Sequence, residues 1–176
     1  MRTPGLDDRR EGPGAVRLRD VSLDDLGLYE RLLCDPGMMA ELGGPMARGD
    51  LPDKLAGDVA AVEADTSWIC VAESEQAEAI GHVCIWTHDG LGEPFSEIGW
   101  MVLPGFQGRG VGKRAVAMLL ERARRDGRWG TIHAYPAVTN APSNGICRAS
   151  GFALAGAVDF DYHGHILRCH HWRLDP

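Results

Sequence analysis

The sequence predicts a mixed α/β (α+β) domain in which helices flank a central, mostly antiparallel sheet. Three observations predict it. Segments of strand-like alternation, such as AVRLRDV and AIGHVCIWTH, are interspersed with segments of helical period. Strand-like segments joined by short polar or glycine turns read as antiparallel hairpins. A glycine-rich loop, GFQGRGVG, leads one strand into a long amphipathic helix.

AVRLRDV is the first strand. In VSLDDLGLYERLLCDPG, Ser22 can cap a helix that carries Asp24 and Asp25 in its first turn and stops at Asp35-Pro36-Gly37. GDLPDKLAGDVAAVEAD gives a second helix, with Asp50 as cap and Pro52 tolerated in the first turn. SWICVAES and AIGHVCIWTH are strands flanking a polar turn. After the loop DGLGEP, FSEIGWMVLP is a further strand, stopped by Pro104-Gly105. The next helix begins near Gly110, with Val116, Leu119, Leu120 and Ala123 on one stripe and Lys113, Glu121 and Arg124 facing away. Arg122, Arg124 and Arg125 suit the negative end of its dipole, and Gly127 closes it. GTIHAYP is a strand. NAPSNGICRASGF is a short helix, with Asn140 as N-cap, Gly151 left-handed at its end and Phe152 packing back. FALAGAVDFDYHGHILRCHHWRL is a closing hairpin that turns near His163-Gly164. The predicted order is β-α-α-β-β-β-α-β-α-β-β.

Length and composition narrow the function. Residues 15–176 suit one core-forming domain, and residues 1–14, rich in Pro, Gly and charge, suit a disordered tail rather than a signal peptide. No apolar run approaches the roughly 20 residues of a membrane span, so a cytoplasmic protein is expected. Five scattered cysteines without a C-x-x-C pair argue against a disulfide framework or a thiolate zinc site. His163, His165, His170 and His171, with Cys169, lack metal-ligand spacing, and no metal is expected. A net charge of −7 disfavours nucleic acid and favours a cationic partner. The tryptophans are spread over separate elements and read as core.

Three readings compete for the glycine loop. A P-loop needs a first glycine where Gln107 stands and a Ser or Thr where Arg114 stands. A dinucleotide site matches Gly110-Val111-Gly112-Lys113-Arg114-Ala115, but the next strand lacks the acidic residue that would hold the ribose. The third reading takes the strand, Pro-Gly-Phe and Gln107-x-x-Gly110-x-Gly112 opening a helix as one unit. In EIGWMVLPGFQGRGVGKRAV and the downstream NAPSNGICRASGF, the chain resembles the GNAT superfamily of acetyl-CoA-dependent N-acetyltransferases, with an affinity to its ribosomal-protein N-terminal branch.

The resemblance implies the acyl-CoA N-acyltransferase fold, with acetyl-CoA as co-substrate. Backbone N–H groups of Gln107, Gly108, Arg109, Gly110, Val111 and Gly112 would bind the pyrophosphate, with charge added by Arg109 and Lys113. It implies a bulged and splayed strand in which Met101, Val102 and Leu103 pair with pantetheine, one backbone N–H serving as oxyanion donor. Asn140 would contact the pantetheine arm, Ser143 lies one turn along, and Arg148 could approach a coenzyme phosphate. Alternation puts Glu97, Gly99 and Met101 on one face, which makes Glu97 the candidate base. Cys147 stands where many members carry a tyrosine acid; it is a thiol acid or a packing residue, with Ser143 or water as substitutes. Asp159, Asp161 and Tyr162 fall where the family shapes its acceptor pocket, and Asp89 and Glu93 are weaker candidates for the base. The acceptor would be a small-molecule amine or a protein N-terminus, attacking directly in a ternary complex. A non-catalytic acyl-CoA sensor and, more distantly, a nicotinamide-dependent oxidoreductase remain open, as does a homodimer.

Overall fold

A computed structural model describes residues 15–88, 94–162 and 164–175. The elements are β1 (Arg17–Asp20), α1 (Leu26–Leu33), α2 (Leu51–Glu63), β2 (Ser67–Glu73), β3 (Ala79–His88), β4 (Phe95–Val102), α3 (Val111–Asp126), β5 (Ile132–Ala134), α4 (Ala141–Ala149), β6 (Ala153–Tyr162) and β7 (His165–Leu174). Their order is the one read from the sequence. They form one seven-stranded sheet, β1-β2-β3-β4-β5-β7-β6, in which only the β4–β5 pair is parallel. The α3 crossover between those two strands makes the parallel pair possible.

Each face of the sheet buries its own cluster. Alternate residues of the strands send Trp68, Val83, Ile85, Ile98, Ile132 and Trp172 under α3, whose stripe Val116, Leu119, Leu120 and Ala123 is buried against them. The opposite face sends Ile69, Val71 and Met101 against Tyr29 and Leu32 of α1 and Leu51 and Leu55 of α2. Period two on the strands and period 3.6 on the helices thus divide one sequence into two cores.

The helix ends follow their local chemistry. Ser22 opens a single 3-10 turn, Leu23–Asp25, ahead of α1, and its backbone N–H donates to the Asp25 carboxylate. Asp50 stands at the N-cap of α2 but makes no side-chain capping bond. Gly127 ends α3 at φ 79° and Gly151 follows α4 at φ 87°, with Phe152 folded back so that its N–H reaches the Cys147 carbonyl.

One break in the sheet matters for function. β4 and β5 pair only at Ser96↔Ile132 and Glu97↔His133. Beyond Glu97 the strand continues to Val102 on β3 alone, while the chain after Ala134 leaves through Tyr135-Pro136, and a wedge opens between them. The expected splay is therefore present, but the expected bulge is not. The β3–β4 register runs unbroken from Gly81↔Val102 to His88↔Phe95.

Candidate active site

The wedge is part of a cavity of about 1150 Å³ that runs from the glycine loop, past β4 and α4, to the space beneath α2. This exceeds the usual size of a site for one small ligand. Its two ends differ in construction.

At the loop end, each glycine has its own task. Gly108 and Gly110 adopt φ 71° and 77°, which residues with a Cβ rarely hold. Gly112 is helical, and a Cβ there would meet Ile146 Cδ1 at 2.9 Å and Val102 Cγ2 at 3.5 Å. It lets α3 lie close to α4 and β4, so it serves packing rather than ligand approach. Gly110 is the N-cap of α3, has no side chain to satisfy the first N–H groups, and leaves them for a ligand. The first turn of α3 carries no acid; it carries Lys113 and Arg114, cations at the positive end of a dipole. Arg114 folds back so that Nη2 donates to the Arg109 carbonyl at 2.8 Å, while its buried Nε has no partner. An anion bound at this terminus would resolve both unfavourable features.

Along the wedge, β4 offers backbone. The Leu103 N–H donates to the Ile80 carbonyl at 2.9 Å. Antiparallel strands exchange bonds at alternate residues, so Met101 and Gly99 also bond β3, whereas Val102 and Trp100 turn their backbone groups toward the wedge. Gln107 Nε2 donates to the Val102 carbonyl at 2.8 Å and ties the loop to the strand. On the far wall, Asn140 caps α4 by accepting from the Ser143 N–H at 3.0 Å. Buried Asn144 fixes that wall. Its Nδ2 donates to the carbonyls of Ala137 and Asn140, and its Oδ1 accepts from Trp172 Nε1 at 2.9 Å and from His170 Nδ1 at 2.7 Å. All of its hydrogen-bonding capacity is used, which locks α4 to β7.

At the other end the lining is side chains. Glu97 is pushed up to about 7 by burial, and its Oε2 is buried without a hydrogen-bond partner; the nearest cation-forming group, His88 Nε2, is 3.9 Å away. His82, two rungs deeper on the same face, is held down at about 4 by burial, and its Nδ1 is also unpartnered. Below it, Asp58 takes a 2.6 Å bond from the Tyr29 hydroxyl and an ion pair from Lys54. Gly99 allows Trp86 to lie against β4: a Cβ there would meet the indole at 3.3 Å.

The cavity brings together Glu97, Met101, Val102, Gln107, Gly108, Gly110, Val111, Gly112, Lys113, Asn140 and Ser143. Other expected residues lie elsewhere. Leu103 is buried under α1, and its N–H is already committed. Arg109 stacks over Phe106 and Arg148 over Trp172, neither on the cavity wall. Cys147 is fully buried in the α3-side core, since the cavity takes the Ser143 and Ile146 edge of α4. Asp159 is exposed on β6 and paired with Arg168 at 3.0 Å. Asp161 and Tyr162 belong to β6, but their side chains, with Asp89, Glu93 and His163, lie outside the described residues. The sequence reading missed Asp58, His82, Cys84, Trp86, Trp100 and Tyr135 on the wall. The spacing His82-Cys84-Trp86, in phase with Glu97 across the rungs, was the available signal. Trp86 and Trp100 are half-buried on the cavity wall rather than core.

A glycine-rich loop opening a helix, a splayed strand and a buried carboxylate thus share one cavity, an arrangement that suits an acyltransferase. The chain belongs to the acetyltransferase (GNAT) domain family, whose profile matches residues 15–153. No curated protein matches the chain. Among solved structures it is similar to RimL, a ribosomal-protein α-N-acetyltransferase bound to coenzyme A (TM-score 0.77, 17% identity, 91% of this chain and 93% of that one). It is also similar to Mycobacterium smegmatis RimJ with a CoA disulfide (TM-score 0.75, 23% identity, 92% and 82%). An aminoglycoside acetyltransferase bound to coenzyme A is comparable (TM-score 0.75, 19% identity, 92% and 95%).

Proposed function

We propose that the chain transfers the acetyl group of acetyl-CoA to a primary amine by direct attack in a ternary complex, with residues 15–176 forming one catalytic domain. The observation that carries this reading is Glu97: a buried carboxylate, its Oε2 without a hydrogen-bond partner, pushed up to about 7 in the cavity that also holds the glycine loop. A base near neutrality is suited to take a proton from an alkylammonium, whose own value lies near 10.

The coenzyme supplies a thioester carbonyl open to attack. The loop N–H groups with Lys113 hold its pyrophosphate, and Asn140 and Ser143 line its arm. The backbone N–H groups of Trp100 and Val102, turned into the wedge, are the oxyanion donors. Cys147 we assign to packing: burial pushes its thiol up to about 12, and it stands behind the wall rather than on it. Ser143 or water then protonates the departing thiolate.

The acceptor is a small-molecule amine or a protein N-terminus, a reading supported by similarity to ribosomal-protein and aminoglycoside acetyltransferases. Among the described residues no helix is long and apolar enough to cross a membrane, in keeping with action in the cytoplasm. The test is release of free thiol from acetyl-CoA with an amine panel, with mass detection of the acetylated product. Tight CoA binding without amine-dependent thiol release would instead make this an acyl-CoA-binding module.

A further inference from the structure

On the face of the sheet that carries Glu97, five half-buried rings form a continuous shelf beside the cavity mouth. The register puts them there. His88 pairs with Phe95 across β3–β4, Glu97 with His133 across β4–β5, and His133 with Arg173 across β5–β7, so alternation places His88, Phe95, Glu97, His133 and His171 on one side. His88 stacks on Phe95 at 5.0 Å and 9°, and Phe95 touches His133 at 4.9 Å. Tyr135 stacks with His171 at 4.9 Å. His133 Nδ1 and His171 Nε2 are 2.7 Å apart with planes 15° apart, so the two imidazoles meet edge to edge and present one surface. Tyr135 also lines the cavity, so the shelf continues its wall.

The electrostatics of the shelf suit one kind of visitor. Burial, then the neighbouring imidazole and Arg173, hold His133 below its ordinary value; burial and Arg173 do the same for His171. Both are neutral at pH 7. Arg173, on the same face, is engaged by Asp175, which also accepts from Thr131. His88 faces Glu97 from β3, and Lys54 of α2 is paired with Asp58. What remains is a π-rich surface, its two paired imidazoles uncharged, beside an ionisable carboxylate, on a chain of net charge −7. Five rings left half-exposed in one patch mark a contact surface, and acetyl transfer itself uses none of them.

We infer that the shelf is a second subsite of the acceptor pocket, holding a cationic group that the acceptor carries at a distance from its reacting amine. The preferred acceptors are amines with a second positive charge. The inference rests on the transferase reading only for the role of Glu97.

Equilibrium binding tests it without requiring turnover. With the protein saturated with CoA, diaminohexane is compared with hexylamine, and a short peptide with lysine at its second position with its norleucine analogue. Near pH 7.5 the dication of at least one pair should bind about three- to thirtyfold more tightly, the range given by a cation over aromatic rings. A ratio in the diamine pair identifies a free polyamine-like acceptor; a ratio confined to the peptides identifies a protein terminus. In Phe95→Leu and His133→Leu the ratio should approach one. In wild type it should fall in acid, as the imidazoles charge. The double variant His133→Phe, His171→Phe should lose less of it. Glu97 also protonates in this range, and the double variant retains that effect, so the imidazole contribution is the difference between the two pH profiles. Equal binding within both pairs in wild type overturns the proposal, as does a wild-type ratio in well-folded Phe95→Leu and His133→Leu. If a variant does not fold, the wild-type ratio and its pH dependence decide. Thiol release with the same amines is scored separately: its absence alongside a persistent ratio removes the transferase reading and leaves the shelf standing.

Discussion

At one end of the cavity, residues 107–112 offer an anion bare backbone at a helix N-terminus. At the other, Glu97, His82 and Asp58 present side chains drawn from β4, β3 and α2. The loop end depends on φ values and N–H directions, which one contiguous stretch encodes. The side-chain end depends on buried groups brought together from positions 39 residues apart, which no local stretch encodes.

Three substitutions would sharpen or break this contrast. The largest effect is expected at the side-chain end. Glu97→Gln should reduce turnover by about 10² to 10⁴ with little change in acetyl-CoA affinity, and the loss should shrink at high pH as free amine accumulates. The wild-type rate should fall as the pH drops through about 7, where Glu97 protonates. A pH–rate profile shared by variant and wild type would assign Glu97 to structure.

The same variant should be more stable. A carboxyl raised from 4.5 to about 7 by folding contributes stability that is full below the lower value and is lost as the pH rises through the upper one. Glu97→Gln should therefore match wild type near pH 4 and exceed it by up to about 3 kcal/mol above pH 8. Denaturant melts across that range measure the difference, and a flat difference would mean that Glu97 is not desolvated.

At the loop end, Gly110→Val should weaken CoA binding about tenfold. A valine at φ 77° is strained by about 1–2 kcal/mol, and its Cβ would meet Arg114 Nη1 at 2.8 Å. Calorimetry on the folded variant reads the affinity; an unchanged value would remove the loop from the site. The smallest effect is expected behind the wall. Cys147→Ala should cost about 1 kcal/mol of stability and less than tenfold in turnover. A hundredfold loss in a stably folded variant would make the thiol the acid.

The same contrast explains what could be read from the chain alone. The stripe of α3, the left-handed Gly127 and Gly151, the Asn140 cap and the loop were legible because each is a local rule acting within a few residues. Cys147 was harder, because the helix period puts it near Ser143, and only the tilt of α4 against the sheet decides which of two adjacent edges meets the cavity. The β4 bulge was expected from likeness, yet the register passes through without one, and the wedge arises instead from β5 ending after three residues. Asp58 could not be placed from sequence, because its neighbourhood exists only once α2 has docked on β2 and α1.

The division of the five indoles has an optical consequence. Trp68, Trp129 and Trp172 are packed in the core, whereas Trp86 and Trp100 stand half-buried on the cavity wall. Intrinsic fluorescence therefore carries two separable signals in the unlabelled protein. The three core indoles should report unfolding, and the two on the wall should change in intensity or wavelength when a coenzyme or amine displaces the water beside them. Trp86→Phe would then silence the acceptor channel and Trp100→Phe the coenzyme channel, so that a single cuvette titration could follow the order in which the two substrates arrive.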